Sequence, residues 1–266
     1  MSKIILITGA ARGLGFSIAE HVLKEPGNQV VIWDYAEKFL DEAQSKLSGV
    51  GKVTCYVVDI SNVDAVKAAA KKVIEEVGVP DVLINNAGIV SSNEYFEADS
   101  DELIRKTFEI NVLGTMWVTK YFIKEMAAKG SEVSLVNISS GTSLLGAAKV
   151  STYAASKWAI NGWTESLRIE QERNPDVHVM MAILASMNTS MFQGYKGSIT
   201  APILKTEDVA KAIWKGVKAR EPVVYVPKTL RMVPVMRAFL SPDKFDKFIG
   251  KDVAKQFESF KVRKDK

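Results

Sequence analysis

The sequence predicts a doubly wound α/β fold, with one parallel sheet of about seven strands and helices on both faces. Three observations carry that prediction. Short β-branched runs alternate with segments of helical periodicity along the chain. The runs are apolar throughout, as expected of strands covered on both faces. No Pro/Gly-rich linker, repeat or low-complexity tract interrupts the series.

The strand runs are Ile4–Ile7, Val30–Trp33, Val53–Val58, Val82–Ile84, Val133–Ile138, Val177–Leu184 and Val223–Val226. Between them, helices are expected over Leu14–Lys24, Ala36–Leu47, Val63–Val77, Leu103–Ala128, about Thr152–Arg173, and Glu207–Ala219. Such alternation implies right-handed crossovers and a single domain over residues 1–266. Residues 188–204 read as a lid and 228–266 as a C-terminal helical extension.

Composition narrows the class. Of 266 residues, 47% are apolar and 25% charged, enough for a substantial core. The formal charge of +4 owes much to Lys261, Arg263, Lys264 and Lys266, read as a solvated basic end, so no nucleic acid partner is expected. The single cysteine, Cys55, lies in an apolar run and reads as core filler; it cannot form an internal disulfide. No stretch approaches the roughly 18 apolar residues of a membrane span. The expectation is a cytoplasmic protein with no transmembrane segment. His21 and His178 are the only histidines and belong to no ligand cluster, so no metal is expected.

The first strand runs into Thr8-Gly9-Ala10-Ala11-Arg12-Gly13-Leu14-Gly15 and then directly into a helix. Glycines let the backbone turn sharply and approach a pyrophosphate, which the free amides of a helix N-terminus can hold. The spacing is G-x-x-x-G-x-G, not the G-x-G-x-x-G of the general Rossmann-type motif, and alone it is also compatible with a tight connection. The second strand ends at Asp34, 19 residues past Gly15. A carboxylate there can take both ribose hydroxyls of an adenosine and repel a 2′-phosphate, favouring NAD over NADP. Two readings compete: Asp34 can cap the following helix, and the Arg12 guanidinium can accept a 2′-phosphate. Asp59-Ile60-Ser61 and Asn85-Asn86-Ala87-Gly88 follow the third and fourth strands, at the end of the sheet where open α/β folds bind ligands. Asn85 and Asn86 are equally good turn formers.

Tyr153 and Lys157 stand four apart in an expected helix and so share a face. An ammonium beside a phenol favours the phenolate, lowering the tyrosine's pKa so that it can exchange a proton with a substrate oxygen. Ser140, 13 residues upstream at a strand end, offers a hydroxyl to the same oxygen. Asn111 is a polar residue with poor helix propensity inside an apolar helix.

With these motifs in order from Ile4 to about Val226, the chain resembles the short-chain dehydrogenase/reductase family in its single-domain branch. The resemblance implies a catalytic tetrad of Asn111, Ser140, Tyr153 and Lys157. Tyr153 would be the acid/base, Lys157 would hold the nicotinamide ribose and depress the phenol pKa, and Ser140 would orient the substrate oxygen. Asn111 would anchor a water. Ser140 is preferred to Ser139 for its distance from Tyr153. The implied cofactor contacts are Gly9, Arg12, Gly13, Leu14, Gly15, Asp34, Asp59, Ile60, Asn86, Ala87, Gly88, Tyr153, Lys157, Met187 and Thr189. One departure stands out. Where the family has Pro-Gly after the sixth strand, this chain has Leu184-Ala185, while the following Thr189 is present.

Val31-Ile32-Trp33-Asp34, Thr107–Leu113 and Val224–Pro227 are similar to the branch with microsomal retinol and 17β-hydroxysteroid dehydrogenases. That branch acts on lipophilic alcohols, chiefly with NAD; many members carry an N-terminal membrane anchor, which is not expected here. Residues 188–204, with Met191, Phe192, Tyr195 and Ile199, would form a substrate lid, and Leu144-Leu145 suit an apolar ligand. Thr229–Leu240 is apolar with flanking arginines; closing the pocket or meeting a partner subunit is expected of it, with membrane-surface contact the lesser alternative, and Pro234 weakens a continuous helix.

The leading expectation is hydride transfer between NAD(H) and a lipophilic alcohol/carbonyl pair, in a homodimer or homotetramer joined through the helices around Asn111–Ala128 and Thr152–Arg173. The alternatives are an NADP-dependent carbonyl or 3-oxoacyl reductase and a dinucleotide-sensing regulator without turnover. Intact Ser140, Tyr153 and Lys157 argue against the regulator.

Overall fold

A computed structural model describes residues 2–90, 92–187, 189 and 203–247. Seven parallel strands form one sheet: β1 (Ile4–Thr8), β2 (Gln29–Asp34), β3 (Lys52–Val57), β4 (Val82–Asn85), β5 (Val133–Ser140), β6 (Val177–Leu184) and β7 (Val223–Val226). Their order is β3-β2-β1-β4-β5-β6-β7, so the chain reverses its direction of travel between β1 and β4. At such a switch point the connections leave to opposite sides and open a crevice at the strands' C-terminal ends.

Within each strand the side chains alternate between two cores. Ile5, Ile7, Val30 and Ile32 pack under α1 (Gly13–Leu23), α2 (Glu37–Leu47) and α7 (Thr206–Ala219). Leu6, Val31 and Trp33 pack under α3 (Val63–Glu76), α5 (Thr115–Ala127) and α6 (Ser151–Glu170). The central strands are covered on both faces, as their composition implies. The outer strands are not: β3 and most of β7 are only half-buried, because an edge strand lacks a neighbour on one side. Cys55, on β3, is half-buried and packs against the first core, and desolvation pushes its thiol up to about 11.

The expected helix Leu103–Ala128 is not one regular element. It divides into α4 (Asp101–Phe108), a π-helical turn over Glu109–Gly114, and α5. Gly114 lies so close to the chain after β3 that a Cβ there would stand 2.8 Å from the Ile60 carbonyl oxygen. The wider turn displaces Asn111 from the regular helical register, and such turns concentrate at functional sites.

At the Leu184-Ala185 departure, Leu184 ends β6 in register with Val226, and the Ala185 amide donates to the Val226 carbonyl at 2.8 Å. Leu184 fills the first core, so regular pairing and apolar packing hold the strand end here. Beyond β7, Lys228–Arg231 form a 3-10 turn leading into α8 (Met232–Phe239) and the short α9 (Pro242–Phe245). Pro234 does not break α8. It falls in the first turn, where a backbone N–H has no intrahelical partner to lose. Of the expected lid, Met191, Phe192, Tyr195 and Ile199 lie outside the described residues, as do Lys261, Arg263, Lys264 and Lys266.

Candidate active site

The glycine-rich turn stands at the switch point. Gly9 (φ +64°) and Gly13 (φ +61°) adopt the left-handed conformation that disfavours other residues. A Cβ on Gly9 would stand 2.7 Å from Ala87 Cα, and one on Gly15 would stand 2.6 Å from both Asn86 Nδ2 and the Gly9 carbonyl. The turn is thus pressed against the loop after β4. Asn86 does this holding: its Nδ2 donates to the Thr8 and Gly9 carbonyls, both at 3.0 Å, while the Thr8 hydroxyl accepts the Asn86 and Ala87 amides at 3.1 Å. The Asn86 side chain is therefore a tie between two loops rather than a group presented to a ligand.

At the head of α1, Arg12 makes no side-chain cap and the first turn carries no acidic residue. By contrast, α3 and α4 are capped by Asn62 and Ser100. The free amides and positive dipole end of α1 therefore face the crevice without side-chain compensation, in the geometry that holds a pyrophosphate. Thr189 borders the same turn: a Cβ on Gly13 would contact its Cγ2 at 3.7 Å. Met187 is half-buried, and its carbonyl accepts the Thr189 amide at 2.9 Å. Leu14 and Ile60 are buried, and Asp59 is exposed with Oδ1 accepting the Ser61 amide and hydroxyl.

Asp34 is tied to both neighbouring segments, although Ala36 and not Asp34 stands at the N-cap of α2. Buried at the end of β2, its Oδ2 accepts the Ala11 amide of the glycine turn at 3.1 Å, and its Oδ1 accepts the Ala36 amide before α2 at 3.2 Å. Each oxygen retains a second lone pair for a ribose hydroxyl. Close by, the Arg12 guanidinium stacks on the Phe39 ring, 4.4 Å from its centroid. The residues fit a dinucleotide: a pyrophosphate cradle on one side and a carboxylate for the ribose on the other.

Past the β4 loop the tetrad candidates converge. Ser140 ends β5, and its hydroxyl meets the Tyr153 phenol from α6. Ser139 points the other way and is tied to Ser143 and Asn161 in the buried interior. Lys157 Nζ lies 5.8 Å from the Tyr153 ring centroid and donates to the Ile138 carbonyl at 3.0 Å. A Cβ on Gly88 would stand 3.6 Å from Lys157 Nζ and 3.2 Å from Asn111 Oδ1, so that glycine admits the lysine to the crevice.

Two expectations change. The phenol is not lowered by its neighbour: burial pushes Tyr153 up to about 12, with the Ser140 hydrogen bond opposing, while burial also brings Lys157 down to about 8. Desolvation acts against both charged forms. Asn111 also differs. Its Oδ1 accepts the Ile89 amide at 2.8 Å, and its Nδ2 donates to the Ile89 carbonyl at 2.9 Å and to Ser156 Oγ at 3.0 Å. With both N–H groups engaged, the side chain is a strut between the β4 loop and α6. Ser156, which the sequence reading passed over, completes it by donating to the Tyr153 carbonyl at 2.7 Å. Only its place between Tyr153 and Lys157 could have singled it out.

The cradle gives a direct prediction. Gly15→Ala forces a methyl into Asn86 and the Gly9 carbonyl, an overpacking cost of about 1–3 kcal/mol. Dinucleotide affinity, read by NADH fluorescence, should fall roughly 10- to 100-fold. Unchanged affinity would remove the turn from the binding site.

The comparisons with known proteins identify the family. A family model described as short chain dehydrogenase matches residues 3–198. Estradiol 17-beta-dehydrogenase 11 of Homo sapiens is 30% identical over 260 residues, covering 97% of this chain and 85% of that protein. Epidermal retinol dehydrogenase 2 of Mus musculus is 32% identical over 244 residues, covering 90% and 78%. A short chain dehydrogenase/reductase from Burkholderia phymatum, solved in complex with NAD, superposes with a TM-score of 0.80 at 23% identity, over 89% of this chain and 93% of that one. The chain belongs to the short chain dehydrogenase family and is on that ground an oxidoreductase.

Proposed function

We propose that this oxidoreductase transfers hydride between NAD(H) and a lipophilic alcohol/carbonyl pair, within a single catalytic domain whose lid is residues 188–204 and whose C-terminal extension is 228–266. The observation that carries the reading is the Ser140–Tyr153–Lys157 cluster facing the crevice opened by the glycine turn. The bound dinucleotide would supply the hydride acceptor or donor. Gly9, Gly13, Gly15 and the head of α1 would hold its pyrophosphate, Asp34 its adenosine ribose, and Lys157 the ribose at the reacting end. Thr189, Met187, Ala87, Gly88 and Asp59-Ile60 would line the remainder.

Ser140 positions the substrate oxygen against the phenol. In oxidation Tyr153 takes the hydroxyl proton; in reduction it returns a proton to the carbonyl oxygen. Lys157, while charged, favours the phenolate form. Asn111 and Ser156 fix the β4 loop and the Tyr153 turn of α6 relative to each other.

The substrate class rests on the apolar residues beside the serine. Leu144 and Leu145 pack with Leu230, Val233 and Phe245, and the relatives are named for estradiol and retinol. Among the described residues, no helix is long and apolar enough to cross a membrane. We place the enzyme in the cytoplasm, as a homodimer or homotetramer through the π-helical turn, α5 and α6, where Leu113 and Ile169 are exposed. Sedimentation velocity reads the assembly directly.

One observation favours the second reading: Arg12, next in the chain to the Ala11 amide that Asp34 accepts, carries its guanidinium over the Phe39 ring of α2. Parallel titrations with NADH and NADPH decide. NADH is expected to bind more tightly, and Asp34→Ser to narrow the preference. Tighter NADPH binding by the unaltered protein would overturn NAD and make a carbonyl reductase the better reading.

A further inference from the structure

Helix α8 stands out from the body of the protein with an apolar face turned outward. Its anchoring side is narrow. Val233 is buried with Leu145 and Phe245, and Arg237 stacks on Trp158 at 4.7 Å while donating to the Leu144 carbonyl at 3.2 Å. The outward side carries Met232 (48% exposed), Val235 (46%), Met236 (37%) and Phe239 (85%). These are positions i, i+3, i+4 and i+7, which at 3.6 residues per turn form a single stripe about 100° wide. An isolated exposed hydrophobe is ordinary, but a continuous stripe ending in an almost fully exposed phenylalanine marks a contact surface.

The charges around the stripe identify the contact. Residues 228–247 carry five basic side chains against two acidic ones. Lys228 and Arg231 precede the stripe and Lys244 and Lys247 follow it, all exposed. An isologous contact with a second copy would set these same cations against their own images, which disfavours self-association. An anionic lipid surface meets both requirements, accepting the apolar stripe between headgroups and attracting the flanking cations.

We propose that α8 is a peripheral docking element that seats the enzyme on an anionic lipid surface. Met232, Val235, Met236 and Phe239 enter the interface and Lys228, Arg231, Lys244 and Lys247 lie at headgroup level. Because the inner side of α8 packs on Leu144 and Leu145, directly after the Ser140 strand end, the docked orientation brings the lipid surface beside the proposed substrate opening. The outward exposure thus reverses the order of readings that sequence alone favours for Thr229–Leu240.

The test is co-sedimentation of the full chain with phosphatidylcholine vesicles, with and without phosphatidylserine, at low and high salt. Binding should require phosphatidylserine and weaken with salt. The double variant Met236→Ser with Phe239→Ser should reduce the partition coefficient at least roughly tenfold. Lys228→Glu with Arg231→Glu should abolish the phosphatidylserine dependence. All four positions are exposed, and NADH affinity and the thermal midpoint serve as controls that the variants are folded. No sedimentation with either vesicle, or binding undiminished in the serine variant, overturns the proposal. So does a dimer of the unaltered chain that the serine variant dissociates, which would give the stripe to a second copy. Vesicle binding is read without turnover, so its failure leaves the dehydrogenase reading standing.

Discussion

Tyr153→Phe is expected to abolish turnover while leaving dinucleotide affinity nearly intact. The substitution keeps the ring, and with it the packing of a side chain only 7% exposed, and removes the phenolic oxygen that meets the Ser140 hydroxyl, which keeps its bonds from the Thr142 amide and hydroxyl. General acid–base catalysis is worth about 10²–10⁴ in rate, so kcat should fall within or beyond that range. The pH dependence has a definite sign. Burial holds the phenol near 12, so in the folded chain the proton-accepting form is scarce at neutral pH. For alcohol oxidation kcat/KM should therefore rise with pH through the alkaline range, whereas carbonyl reduction, which uses the protonated phenol, should stay level over the same interval. Ser140→Ala should lower kcat less than Tyr153→Phe and, by removing the hydrogen bond that opposes the upward shift, move the oxidation profile further into the alkaline range. An unaltered kcat in Tyr153→Phe would remove this residue from the chemistry.

Lys157→Met should separate activity from stability. In the folded chain burial brings the ammonium down to about 8 from its ordinary 10.5. Between those values the unfolded state binds more protons than the folded one, so stability rises with pH across the window; below it the buried charge is a steady penalty of roughly 3 kcal/mol. Methionine removes that penalty but leaves the Ile138 carbonyl without its donor, which takes back about 1–3 kcal/mol. The thermal midpoint should thus rise slightly or hold at pH 7, and the variant should compare less favourably at pH 10, where the native lysine is already neutral. Turnover should collapse at every pH. A midpoint that falls sharply at pH 7 and recovers at pH 10 would contradict the assigned direction of the shift. If the midpoint rises or holds at pH 7 as expected, the cluster is a site kept at some expense to the fold for the sake of its chemistry.

Both predictions rest on residues the sequence could nominate but not fully describe. Tyr153 and Lys157 are four apart on a helix, and that spacing alone puts them on one face. The direction of their pKa shifts depends on how completely the helix is covered, and the spacing is silent on that. Ser139 and Ser140 are neighbours in sequence; in the fold one is locked to Ser143 and Asn161 and the other meets Tyr153, because successive residues of a strand face opposite ways. Asn111 was marked by its poor fit to an apolar helix. The partners that make it a strut, Ile89 and Ser156, are 22 and 45 residues away.

By itself the sequence determined the order of strands and helices and the end of the sheet where the site lies. Both follow from local periodicity: apolar runs define covered strands, and glycines and carboxylates immediately after them can only stand at the strands' C-terminal ends. The tertiary structure alone decided the π-helical turn at Glu109–Gly114, the tie from Asn86 to the glycine turn, the raised phenol and the outward stripe of α8. Each of these depends on burial or on contacts between residues distant along the chain. Thr229–Leu240 reads as an apolar segment with basic flanks in either case, and only packing determines which of its faces remains in the open.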